Sequence, residues 1–183
     1  MKTNFPKDIR TTQEESPESW YTGKTAWETG TPYLTPKAVK ELSRIIPNDI
    51  EAVEFGAGGS TFWLSRRCSF VHSFETNPGW ISRVVKRLEK EGIRNASVSP
   101  INRLKLFMPN KSIGLVLVDS DGSASDRVII SKQSLPWLKK GGIFVLDNYE
   151  RYRLDFLDVE EWDIALFNEV HWDGLGTLIA VKQ

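Results

Sequence analysis

The chain has 183 residues, a formal net charge of zero from 24 basic and 24 acidic side chains, and one cysteine, Cys68. The length suits a single domain with a sizeable core. Balanced charge without like-charge runs argues against a nucleic-acid partner, a lone cysteine excludes an internal disulfide and fits a reducing, cytoplasmic setting, and no apolar stretch is long enough to cross a membrane.

Residues 1–35 read as an N-terminal extension. Its first residues, Met1 to Pro6, lack the apolar core of a signal peptide, and the polar stretch 1–19 is expected to be mobile. Trp20, Tyr21, Trp27 and Tyr33 follow. They suit a lid over a pocket or, equally, packing on an outer helix. Residues 36–183 read as one domain. Val39, Leu42, Ile45 and Ile46 share a face at helical spacing behind Pro36, and Pro47-Asn48-Asp49 ends that helix.

An alternation of strand and helix then begins. Strands are predicted at 50–55, 70–75, 96–101, 113–119 and 143–147. Helices are predicted at 61–67, 78–91 (capped by Asn77 and stopped by Gly92) and 125–139, the last stopped by Gly141-Gly142. Segments 164–171 and 177–182 read as a closing antiparallel hairpin around Trp172-Asp173-Gly174. The fold class is therefore α/β: a three-layer, Rossmann-like sandwich with a mostly parallel seven-stranded sheet and an antiparallel closing strand.

In such sheets ligands sit beyond the C-terminal strand ends, at the switch point. The chemically suggestive residues all fall there. Glu54-Phe55-Gly56-Ala57-Gly58-Gly59-Ser60 ends a strand in an acid, makes a glycine turn and opens a helix. Gly56 and Gly58 permit unusual backbone angles and remove a Cβ from the ligand's path. An acid before the turn suits a positively charged ligand rather than a phosphate. Glu75 ends the next strand about twenty residues after Gly56, the spacing of an acid that accepts both hydroxyls of a ribose. It also suits a plain strand-end cap. Asp119, Asp147 and Asn148 end the next two buried strands. They suit a hard divalent ion such as Mg²⁺, or the orientation of a substrate hydroxyl without metal. His72 reads as structural, His171 has no evident partner, and Arg127 reads as a helix-surface ion pair.

These residues resemble a class I S-adenosylmethionine-dependent methyltransferase. Glu54 to Ser60 is similar to that family's first motif and Glu75 to its ribose-binding acid. Segments 113–119 and 141–148, with the Leu138-Lys139-Lys140-Gly141-Gly142 lead-in, are similar to its fourth and fifth strands. The resemblance spans residues 36–183. It implies S-adenosyl-L-methionine as cofactor, with Glu54, Gly56, Ala57, Gly58, Ser60, Glu75 and Asp119 around it. It also implies methyl transfer to a small-molecule acceptor, at oxygen, with Asp119, Asp147 and Asn148 as the catalytic set. Asp119 with Asp147-Asn148 is also similar to the metal site of catechol-type O-methyltransferases. There the lysine base would stand at Gly122, and Pro100-Ile101-Asn102 lacks the adenine-side acid. Two alternatives stay open: a cofactor-binding module without catalysis, and an NAD-dependent oxidoreductase. The oligomeric state is open too, a homodimer included.

Overall fold

The buried apolar runs become the strands of one sheet. The computed structural model describes residues 10–12, 25–101, 108–109, 111–120, 123–168 and 175–183. The strands are β1 (Arg10–Thr12), β2 (Glu51–Phe55), β3 (Phe70–Glu75), β4 (Ala96–Pro100), β5 (Ile113–Val118), β6 (Leu138–Asp147), β7 (Trp162–Phe167) and β8 (Thr177–Lys182). Their order is β1-β7-β8-β6-β5-β2-β3-β4. Every pairing is parallel except those of β8, which runs antiparallel to both β6 and β7.

Seven of these strands form the expected sheet. The eighth, β1, lies in the stretch expected to be mobile, and it pairs in parallel with β7. It covers what would otherwise be a bare edge of unpaired N–H and C=O groups.

The helices are α1 (Ala26–Thr29), α2 (Pro36–Ile45), α3 (Gly59–Ser65), α4 (Pro78–Glu91) and α5 (Ala124–Ser134). Strand alternation sorts the core into two faces. Ala52, Leu115, Leu117 and Val145 pack against Val39 and Leu42 of α2 and Leu64 of α3. Val53, Phe55, Val116, Val118 and Phe144 face the other way, against Ile130 of α5 and Trp137. Val84 and Leu88 of α4 close the first layer over Phe62. Asn77 caps α4 through Trp80 N–H (3.1 Å), and Gly92 ends it in the left-handed region.

Several boundaries shift by a residue or two, as where α3 begins at Gly59 and β7 at Trp162, and the largest difference is at the end of α5. The helix expected to run to Lys139 ends at Ser134, followed by a 3-10 turn over Leu135–Trp137. Pro136 has no N–H to continue the helical ladder. β6 therefore begins before the two glycines. Gly141-Gly142 sits inside it as an irregularity, where the register with β5 shifts between Ile113 and Leu115 and Gly141 takes φ 74°. The glycines bend a strand instead of stopping a helix.

β2 lies between β3 and β5. The chain winds outward from β2 in one direction through β3 and β4, and in the other through β5 and β6. The crevice where these two courses part opens at the C-terminal ends of β2 and β5, just where Gly56 and Asp119 stand.

Candidate functional site

A cavity of about 510 Å³ occupies that crevice. Gly56, Ala57, Gly58 and Ser60 form its floor, Glu75 and Asp119 two of its edges, and Trp27, Tyr33 and Trp80 its walls. Among the described residues, the lining brings two carboxyl groups to this cavity and no lysine, arginine or histidine.

The glycine turn is held from below. Gly56 has φ 100°, and its N–H donates to Phe74 O (2.8 Å), tying the turn to β3. A Cβ there would lie 2.7 Å from the carbonyl carbon of Asp119. Only glycine fits where β2 and β5 part this closely. Gly58 N–H donates to Thr61 Oγ1 (3.0 Å), and that hydroxyl donates to Glu54 Oε2 (2.6 Å). Ser73 Oγ donates to the same oxygen (2.5 Å). Glu54 is thus fully buried beneath the turn, facing α3, and does not reach the cavity wall. Its other oxygen, Oε1, has no hydrogen-bond partner among the described residues. Burial pushes its pKa up to about 7, with the nearby hydroxyls of Ser60, Ser73 and Thr61 acting the other way.

Glu75 is buried at the cavity edge. Its Oε1 accepts from Thr76 N–H (2.6 Å) and Asn77 N–H (2.8 Å). This fixes the carboxylate at the strand end and leaves Oε2 without a bond among the described residues. The cap of α4 is Asn77, so Glu75 is not needed for that purpose.

The roof comes from residues 25–33. Thr25 and Glu28 form a capping box that starts α1. The Trp27 ring stacks at a tilt on Trp80 (5.0 Å) and edge-on to Phe62 (5.5 Å). The guanidinium groups of Arg83 and Arg87 lie over Trp27, each 4.7 Å from its centroid. Arg87 also donates to Trp27 O. Trp80 Nε1 donates to Ala57 O (2.5 Å), joining roof to floor. Gly59 is the seat of this roof. A Cβ on it would lie 2.8 Å from the carbonyl carbon of Ala26 and closer still to Ala26 O and Thr31 O. Trp20 and Tyr21, the other two aromatics of the expected lid, lie outside the described residues, as do Gly122, Asn102 and His171. His72 faces Glu51 (3.2 Å) at the far end of the sheet.

Behind Asp119 lies a buried charge cluster. Asp147 is 3 % exposed and does not line the cavity. Thr177 Oγ1 donates to its Oδ1 (3.3 Å), and Asn148 Nδ2 donates to its Oδ2. Asn148 itself takes the left-handed region (φ 55°), which turns the chain out of β6. Arg127 was read as a surface residue. It is 7 % exposed, because the face of α5 that carries it looks down the ends of β5 and β6. Its Nε donates to Ser120 O (2.6 Å), Nη1 to Asp147 O (3.1 Å) and Nη2 to Asp119 Oδ1 (3.4 Å). Burial and then the charge of Asp147 push the Asp119 pKa well above the usual carboxylate range. Burial pushes Asp147 up to about 6, with Arg127 opposing. Both carboxyls are thus pushed toward the protonated form, against the opposing charge of Arg127.

This cluster does not fit a divalent ion. A guanidinium already stands beside the carboxyls, and the Asn148 amide is turned to Asp147. Among the described residues no group of three His, Cys, Asp or Glu side chains is placed to hold a metal. Cys68 is buried with its pKa raised by burial to about 11, which makes it an inert core thiol.

No protein-family model and no curated protein matches the chain. Solved structures do. A candidate methyltransferase from Streptococcus mutans, in complex with SAH, superposes with TM-score 0.63 at 17% identity, over 79% of this chain and 94% of that one. An rRNA methylase from Streptococcus thermophilus gives TM-score 0.64 at 16% identity, over 79% and 92%. A dimethyladenosine transferase from Plasmodium falciparum gives 0.57 at 14%, over 81% and 62%. The fold is that of the class I methyltransferases. In this Rossmann-like methyltransferase fold the crevice at the β2 and β5 ends is the switch point, and the cavity described above fills it.

The sequence pointed to Gly56, Ala57, Gly58, Ser60, Glu75 and Asp119, and these surround one cavity. Glu54, Asp147 and Asn148 stand one layer behind it. Trp80 and Thr25 line it unannounced. Trp80 looked like any aromatic on an amphipathic helix, and Thr25 carried only the capping signal shared with Glu28.

Proposed function

We propose that this chain binds S-adenosyl-L-methionine in the switch-point cavity and transfers its methyl group to a small-molecule acceptor, at oxygen. The observation that carries the reading is the lining, which among the described residues has two carboxyl groups, three aromatic rings and no basic side chain. A dinucleotide would bring a pyrophosphate with two negative charges beside Glu75 and Asp119, with no cation among the described lining residues to meet it. A sulfonium nucleoside brings a positive charge, which acidic groups and aromatic faces favour. The open space beside Gly58 supports a ligand lying against the turn. The fold neighbours support the same cofactor, since one is in complex with SAH.

Bound there, the cofactor would supply an electrophilic methyl group. The chain's part is alignment and proton handling. Oε2 of Glu75 would accept from the ribose hydroxyls. Trp27 and Trp80 exclude water from one side. Asp119 would meet the acceptor, and its carboxylate would take up the acceptor's hydroxyl proton. Arg127 holds the pair in place and stabilises its negative charge.

Calorimetry tests the reading. S-adenosylhomocysteine should bind the wild type and NAD should not. Glu75→Ala should weaken binding at least tenfold, about 1.4 kcal/mol, with Glu75→Gln intermediate. Equal affinity in Glu75→Ala, or a preference for NAD, would overturn it.

A further inference from the structure

We propose that the methyl acceptor carries a carboxylate or phosphate on an apolar body, and that it docks in a second, open groove on the α5 side of the sheet. The inference rests on the methyltransferase reading and names the substrate class for that site. The groove has a volume of about 400 Å³, within the range of small-molecule sites. Val128, Ile129 and Lys132 of α5 form one wall, and Arg151, Tyr152 and Arg153 of the turn after β6 form the other. Three cations meet one acid there, Asp155. None of Lys132, Arg151 and Arg153 is paired with a carboxylate among the described residues. Ile129, between them, is 51 % exposed, although it is a large apolar side chain. An apolar floor ringed by cations that no described carboxylate neutralises complements an amphipathic anion.

The groove adjoins the reacting end of the cavity. α5 turns Arg127 inward to Asp119 and Asp147 while its next residues, Val128 and Ile129, line the groove. Tyr152, on the opposite wall, ends the Tyr149–Arg151 turn that follows directly on Asp147 and Asn148. The turn that carries the arginines is fixed. Tyr149 Oη donates to Asn168 Oδ1 (3.0 Å), and Glu150 Oε1 accepts from Gly176 N–H (2.8 Å). An acceptor seated on the cations would thus extend its nucleophile past Tyr152 toward Asp119. Net neutrality of the whole chain and the small volume favour a small anion over a polyanion.

The test uses the full chain saturated with S-adenosylhomocysteine and follows the Ile129 methyl resonance, assigned through Ile129→Val. The probes are benzoate, phenyl phosphate, the neutral benzyl alcohol, and a short RNA oligonucleotide. Benzoate or phenyl phosphate should shift the resonance saturably, and benzyl alcohol should bind at least tenfold more weakly. The exposed charge-reversal triple Lys132→Glu, Arg151→Glu, Arg153→Glu should lose anion binding at least tenfold while its S-adenosylhomocysteine affinity, measured by calorimetry, stays unchanged. No anion-induced shift, equal binding of the neutral probe, or an unaffected triple variant would overturn the proposal. Tighter binding of RNA than of phenyl phosphate would overturn the small-molecule assignment. Failure of the underlying reading would show separately, as no S-adenosylhomocysteine binding in the first calorimetric titration.

Discussion

Two adjacent glycines at the cavity floor should respond oppositely to the same added methyl group. At Gly59 a Cβ would stand 2.8 Å from the carbonyl carbon of Ala26, with the Ala26 and Thr31 oxygens nearer still. Carbon atoms attract best at about 3.5–4.0 Å, so the α1 roof must retreat by about 1 Å. Its neighbours are backbone atoms, which cannot rotate away. Overpacking of this kind costs about 1–3 kcal/mol, and the retreat also draws Trp27 from Phe62 and Trp80. At Gly58 a Cβ would meet nothing within 4 Å. It faces the cavity, and φ is −179°, ordinary extended backbone. Gly59→Ala should therefore lose about 2 kcal/mol in urea unfolding. Gly58→Ala should stay within about 1 kcal/mol of the wild type but weaken S-adenosylhomocysteine binding at least tenfold by calorimetry. Equal stability of the two variants would refute the roof contact. Undiminished ligand affinity in Gly58→Ala would refute the placement of the ligand against the turn.

Glu54 makes a pH-dependent prediction. Its folded pKa, about 7, lies above its ordinary 4.5, so the folded state holds its proton longer than the unfolded chain does. The associated stability is present below about pH 4.5 and is lost as pH rises through about 7, by about 3 kcal/mol as an order of magnitude. Glu54→Gln cannot ionise, so urea unfolding should show the variant gaining on the wild type between pH 5 and pH 8; parallel profiles would refute the assignment. Arg127→Met strips the partner from a buried carboxyl pair and should cost about 3–5 kcal/mol at pH 8. Less should be lost at pH 5, where the pair takes up protons, and an equal loss at both would mean that packing alone matters. Millimolar Mg²⁺ should leave the melting temperature unchanged with Arg127 in place; a saturable rise would contradict the account of that cluster.

The layout of the sheet was readable because its signals are local. Buried runs such as Ile113 to Val118 admit little besides a doubly covered strand, and Asn77 and Gly92 mark the ends of α4 through their own chemistry. The cavity floor was readable for a related reason: topology brings every C-terminal strand end to one edge, so residues far apart in the chain converge without any knowledge of side-chain packing. What escaped depends on contacts across long separations. Arg127 is an ordinary helix charge until β5 and β6 place two aspartates and two carbonyls around it. Gly59 looked like part of the ligand turn, yet its bare Cα serves the backbone of residues 26–31. Gly141-Gly142 carries the composition of a helix stop, but Pro136 had already ended the helix. The Glu54 carboxylate was legible as important, while its place beneath the turn depended on the hydroxyls of Thr61 and Ser73, which no spacing rule links to it.

The central claim is that the acidic, aromatic cavity at the β2 and β5 ends holds a sulfonium nucleoside. A crystal structure of the chain grown with S-adenosylhomocysteine tests it most directly. The account predicts the ligand in this cavity, with its ribose hydroxyls on Glu75 Oε2, its methionine part against Gly56 to Ser60 and its sulfur facing Asp119. An empty cavity at saturating ligand, or a ligand bound with its ribose away from Glu75, would contradict it.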